Sequence, residues 1–176
     1  MSNHSLSDVR AIAAKLHEAF GDTDPLTTEA NILLAKSYGA LQGVVAKYWA
    51  EFGLTSHRYT TLRLLYLADQ HRLPMKDIAA GLNVGTTNVT KLINGMHRDG
   101  LVKRIVEPKD RRVIYAQLTD EGKGRYETVY PLAHKRLREA WSALDPDEKE
   151  VLIHLLAKLR THILDKDRAT LSPSVG

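Results

Sequence analysis

The sequence predicts a mainly α-helical chain with one small β element, a wing of two or three strands. Three observations predict it. Apolar residues recur at helical spacing through most of the chain, strand-like alternation is confined to residues 101–118, and Gly, Pro, Asp and Thr punctuate the periodic segments. With 176 residues, 43% of them hydrophobic, the chain can bury a core as one domain with helical extensions. It has no cysteine, which excludes disulfides, thiolate metal sites and thiol sensing. No stretch approaches the roughly 20 apolar residues that span a bilayer, and the first residues lack the pattern of a leader. The expectation is a soluble, cytoplasmic protein with no membrane contact.

The elements follow in order. Ser7 is placed to cap a first helix that carries Val9, Ile12, Ala13, Leu16 and Phe20 and ends at Gly21. Residues 22–27 read as a linker. From about residue 28 to 51, Ile32, Leu34, Tyr38, Leu41, Val45, Tyr48 and Trp49 exceed one narrow stripe, which predicts a helix packed on more than one side. Gly53 stops it, and Thr55 caps the next, with Tyr59, Leu62, Leu65 and Tyr66 at helical spacing. Pro74 opens a short helix containing Ile78, Ala79 and Leu82; residues 81–85 make a turn. A second helix buries Val89, Leu92, Ile93 and Met96 and ends at Gly100.

Residues 101–106 and 112–118 read as two strands joined by a charged loop. After Thr119 a helix carries Tyr126, Val129, Tyr130, Ala133, Leu137, Ala140 and Trp141, perturbed at Pro131. Asp145, Pro146 and Glu148 form a capping box ahead of a last helix with Val151, Leu152, Leu155, Leu156, Leu159 and Ile163 on one seam. The expected organisation is helices over 1–52, a helix-turn-helix lobe with a wing over 53–119, two helices over 120–166 and a flexible tail over 167–176. The end helices carry more apolar surface than one small module can cover. A homodimer is the natural remedy, since a two-fold interface buries the same patch twice.

Charge is concentrated in one place. Between Thr86 and Tyr115, seven Lys/Arg (Lys91, Arg98, Lys103, Arg104, Lys109, Arg111, Arg112) face three acids (Asp99, Glu107, Asp110), which accounts for the whole formal net charge of +4. A neutral scaffold bearing one basic device fits a reader of nucleic acid. In the second helix of the pair, Thr86, Thr87, Asn88, Thr90, Lys91, Asn94 and His97 are left by the apolar set as exposed or lateral positions. Asn can bond bidentately to adenine, Thr can meet a thymine methyl or a phosphate, and Lys can reach guanine or the backbone. In the loop after Pro108, Lys109, Arg111 and Arg112 suit a narrow minor groove, with Asp110 holding a neighbouring arginine.

The marks just described resemble the MarR (multiple antibiotic resistance regulator) family of winged helix-turn-helix repressors. They are Gly53-Leu54-Thr55, Asp77-Ile78-Ala79 with Leu82, Val89-Thr90 with Leu92, the run from Asp99 to Arg104, Pro108, Asp110-Arg111-Arg112, Leu118-Thr119 and Gly122. The resemblance implies a homodimer built from the terminal helices, recognition helices in successive major grooves of a pseudopalindromic operator, and wing arginines, chiefly Arg112, in flanking minor grooves. It also implies a site for a small aromatic acid, for which Tyr38, Tyr59, Arg63 and Tyr66 are the candidates. Urate-responsive members bear a tryptophan on an extra N-terminal helix and an acid early in the helix after Gly-Leu. Here the extra helix has no tryptophan and Thr60 stands at the acid's place. No metal is expected, because His154 and His162 are two turns apart and the other histidines are scattered. No cofactor or enzymatic motif is present. A winged-helix module that binds protein instead of DNA is the alternative.

Overall fold

A computed structural model describes residues 5–108, 110 and 112–171, without the side chains of 167–171. Lys109 and Arg111 therefore lie outside the described residues. The helices are α1 (Leu6–Phe20), α2 (Pro25–Glu51), α3 (Ser56–Leu67), α4 (Met75–Leu82), α5 (Thr86–Arg98), α6 (Asp120–Ala140) and α7 (Pro146–Leu171). The strands are β1 (Arg72–Pro74), β2 (Val102–Val106) and β3 (Ile114–Leu118), and a 3-10 turn, Asp69–His71, precedes β1.

Packing divides the chain into two units, Met1–Lys135 and Arg136–Gly176. The division falls inside α6, away from the sequence boundaries at 52 and 119. In the first unit one core gathers Trp49 of α2, Leu62 and Leu65 of α3, Ile78 of α4, Val89, Ile93 and Met96 of α5, Val102, Ala116 and Leu118 of the strands, and Tyr126 and Val129 of α6. Each such aliphatic side chain contributes about 1.5–3 kcal/mol on burial. Three of them on α5 fix which way that helix is rotated. The sheet is antiparallel in the order β1-β3-β2, with Val102 opposite Leu118, Val106 opposite Ile114 and Leu73 opposite Ala116.

Several boundaries differ from those read in the sequence, each for a local reason. α1 is capped by Ser5, two residues before Ser7: the Ser5 amide donates to Asp8 Oδ2 at 2.7 Å and the Ser5 hydroxyl accepts from the Asp8 amide. α2 begins at Pro25, inside the expected linker, because Asp24 Oδ1 accepts from the Leu26 amide at 3.0 Å and proline suits the first helical position. A hydrogen bond from the Thr27 hydroxyl holds the Asp24 carboxyl below its ordinary value. Pro74 ends β1 and stands at the N-cap position of α4 without belonging to it; opposite Tyr115, it lies at the end of an edge strand, where proline is tolerated. α6 runs through Pro131 as one helix.

In the second unit the Asp145 and Glu148 capping box closes with reciprocal bonds of 2.9 and 2.8 Å. α7 then continues to Leu171, past the expected end at 166, because no Gly or Pro interrupts the sequence between Pro146 and Pro173. Residues 172–176 of the expected tail lie outside the described residues. Within the single chain Val151, Ile153, Leu155, Leu159 and Ile163 of α7 are exposed. Among the described residues no helix is long and apolar enough to cross a membrane.

Candidate nucleic-acid interface

The sequence makes α5 by placing a turn before it and a glycine after it. Asn83, in the left-handed conformation, ends α4, and Gly85 starts α5 with no side chain capping its first amides. Those free N–H groups and the helix dipole favour an anion at this end. At the other end the Leu101 amide donates to the Met96 carbonyl at 2.9 Å and the Gly100 amide to the His97 carbonyl at 3.0 Å, with Gly100 at φ 74°. That is a Schellman stop, which favours glycine because of the positive φ. Arg58, near the start of α3, forms an ion pair with Asp99 and so ties the C-terminal end of α5 to the core helix behind it.

With Val89, Ile93 and Met96 buried, the opposite face is decided. Thr86, Thr87, Asn88, Thr90, Lys91 and Asn94 are all exposed on it. Thr90 Oγ1 donates to the Thr86 carbonyl at 3.0 Å, which leaves its methyl group and a lone pair for an outside partner. His97 Nδ1 lies 2.9 Å from the Val102 carbonyl; facing an acceptor, that nitrogen carries the proton.

At the wing, the Glu107 amide meets the Val113 carbonyl at 2.9 Å and the Val113 amide meets the Asp110 carbonyl at 2.9 Å, closing the loop beyond β2 and β3. Asp110 Oδ1 accepts from the Arg112 amide at 3.0 Å and from Arg112 Nε at 3.3 Å. The Arg112 side chain is nonetheless 94% exposed, so it is oriented but free to engage an anion. At the base of the wing Arg72 lies over the Tyr115 ring at 5.2 Å. Arg104 Nη1 reaches from β2 to Asn94 Oδ1 at 2.8 Å. Neither Arg58 nor Arg104 stood out in the sequence as a site residue; strand alternation gave Arg104 a face but no partner.

Of the four candidates for a ligand site, three gather. Tyr59 stacks on Trp49 with centroids 3.7 Å apart and faces Tyr126 at 5.7 Å; Tyr66 lies 4.7 Å from Tyr126 and donates to Glu127 Oε1 at 3.0 Å. Arg63 is exposed on the same helix, where its charge acts on both Tyr59 and Tyr126. Burial pushes the Tyr59 and Tyr126 phenols above their ordinary value, and the Glu127 hydrogen bond does the same for Tyr66. Tyr38, 63% exposed on α2, shares no ring contact or hydrogen bond with the other three. Among the described residues no group of three His, Cys, Asp or Glu gathers as a metal site.

An exposed polar helix face set by a helix-turn-helix, beside a three-stranded sheet whose wing presents an exposed arginine, defines a winged-helix DNA-binding protein. A MarR family model matches residues 52–113. The HTH-type transcriptional repressor YetL of Bacillus subtilis is 30% identical over 142 residues, which cover 81% of this chain and 85% of that one. AbsC, a MarR family transcriptional regulator from Streptomyces coelicolor, superposes with a TM-score of 0.73 at 25% identity, covering 77% of this chain and 93% of its own. BpsR of Bordetella bronchiseptica, whose DNA binding is regulated by 6-hydroxynicotinic acid, shares the fold with a TM-score of 0.67 at 21% identity, covering 80% and 95%. The chain belongs to the MarR family of transcriptional regulators and is not an enzyme.

Proposed function

We propose that the chain acts as a homodimeric, sequence-specific repressor whose hold on DNA is released by a small aromatic or anionic ligand. The observation that carries the DNA reading is the single exposed face of α5, bearing Thr86, Thr87, Asn88, Thr90, Lys91 and Asn94 opposite its three buried apolar residues. Arg112, with Lys109 and Arg111 in the same loop, supplies the cations for a flanking minor groove, and Asp110 orients Arg112. The exposed apolar residues of α7, together with Leu16, Phe20 and Leu26 of the N-terminal helices, support dimerisation through segments 1–52 and 120–166, with 53–119 as the DNA-binding lobe. Two copies would then read half-sites about 34 Å apart.

Tyr59, Arg63 and Tyr66 support an effector site, because aromatic walls beside one cation suit an aromatic acid. The regulation of BpsR by 6-hydroxynicotinic acid makes that chemistry the first to test. A gel shift on the DNA beside the chain's own gene, at about 50 and 200 mM salt, tests the main reading. Neutralising six or more phosphates predicts about a thousand-fold loss of affinity between the two. Salt-independent binding, or a monomer by sedimentation in the bound state, would refute it.

A further inference from the structure

By residue type an asparagine such as Asn94 can bond bidentately to adenine: in that mode its amide oxygen accepts from N6 and its NH2 donates to N7. The structure changes the terms. Arg104 Nη1 donates to Asn94 Oδ1 at 2.8 Å, and both residues are exposed, one on the wing strand β2 and the other on the outward face of α5. A guanidinium carries donors only, so the atom that meets it is the amide oxygen, and the orientation of this amide is settled by its partner. The NH2 group is the end left for an outside ligand, with no other hydrogen bond to the Asn94 side chain among the described residues.

Two consequences follow for base recognition. The oxygen that adenine N6 would use shares its two lone pairs with the Arg104 donor, and the positive guanidinium beside it opposes the positive amino hydrogens of N6. Guanine presents N7 and O6 on the same groove edge, both acceptors, which match two N–H donors and are favoured by a nearby cation. We propose that Arg104 is a positioning residue that fixes the Asn94 amide as a donor, so that Asn94 selects guanine over adenine in the major groove. This rests on the DNA-binding reading above and adds to it the base that one side chain prefers.

The test is selection of bound sequences from a randomised duplex pool by the full chain and its variants. Asn94→Ala locates the base pair that Asn94 reads, as the position whose preference it abolishes. At that position the wild type should enrich guanine over adenine about tenfold. Arg104→Leu should raise adenine to parity or above. Arg104→Lys, which can still donate to Oδ1, should keep guanine, and so should establish the effect even if Arg104→Leu folds poorly. Asn94→Asp keeps the pair with Arg104 but removes the donors, and should lose the guanine preference. A merely structural Arg104 would weaken all positions alike. An adenine preference in the wild type, or an identical profile with Arg104→Leu, overturns the assignment while leaving DNA binding intact. A wild type that retains no sequence from the pool overturns both together.

Discussion

Gly122 sets how closely α6 lies against the base of the wing. A β-carbon there would stand 2.0 Å from the Leu101 carbonyl oxygen, 3.0 Å from the Leu101 carbonyl carbon and 3.1 Å from Leu118 Cδ2. The first two are backbone atoms, and the Leu101 carbonyl is itself engaged by the Thr119 amide at 3.2 Å, so relief requires the start of α6 to move away from the sheet. Overpacking costs about 1–3 kcal/mol, and a contact this far inside van der Waals distance to rigid backbone puts Gly122→Ala at the top of that range. For a chain of this size about 3 kcal/mol lowers the midpoint by about 6–12 °C. Gly124 on the same helix is the control. A β-carbon there meets nothing within 4 Å, and Gly124→Ala should stabilise by about 0.5–1 kcal/mol because alanine loses less backbone entropy in a helix. Thermal melts followed by circular dichroism should therefore shift in opposite directions for two substitutions of identical chemistry. A Gly122→Ala midpoint at or above that of the wild type would refute the reasoning.

Arg112→Ala removes an exposed side chain whose ion partner among the described residues, Asp110, is on the surface, so the melting midpoint should hold within about 0.5 kcal/mol. Operator affinity should fall and the salt slope shrink by about one unit, measured by titration at several salt concentrations. Asp145→Ala removes the Oδ1 that accepts from the Glu148 amide at the start of α7, leaving the residue-145 amide able to donate to Glu148 Oε2, and should cost about 1 kcal/mol, read from urea unfolding. The raised phenols of Tyr59, Tyr66 and Tyr126 mean that the folded chain holds these protons more tightly than the unfolded one. Their contribution is complete below pH about 10 and is lost as pH rises through the folded values. Urea midpoints should fall above pH about 10, and the fall should be shallower in Tyr59→Phe; an equal slope in both proteins counts against the burial of that hydroxyl.

The elements that the sequence announced are those whose cause is local. Thr55 accepts from the Arg58 amide, Asp145 and Glu148 bond each other's backbone, and Val89, Ile93 and Met96 share a face by helical period alone. Where two local solutions compete, spacing could not choose: Ser5 wins over Ser7 because Asp8 stands three residues on, and Pro25 rather than Thr28 begins α2 because Asp24 is there to cap it. The three-residue β1 escaped notice because it is a strand only by virtue of β3, more than forty residues away in the chain. The Tyr59 and Trp49 stack, the Arg58 and Asp99 pair and the close seat of Gly122 are of the same kind.

By itself, then, the sequence determined the inventory and its periodicity: a polar helix face, a basic hairpin and apolar helices at both ends, since these depend on neighbours within a few turns or a pleat. Tertiary structure alone decided what each side chain may still do. Arg104 lies ten residues from Asn94 on a different element, and only the packing of β2 beside α5 puts a donor on the amide oxygen. Hydrogen-bond capacity is spent in three dimensions, so the chemistry left for a ligand follows from contacts that no linear spacing encodes.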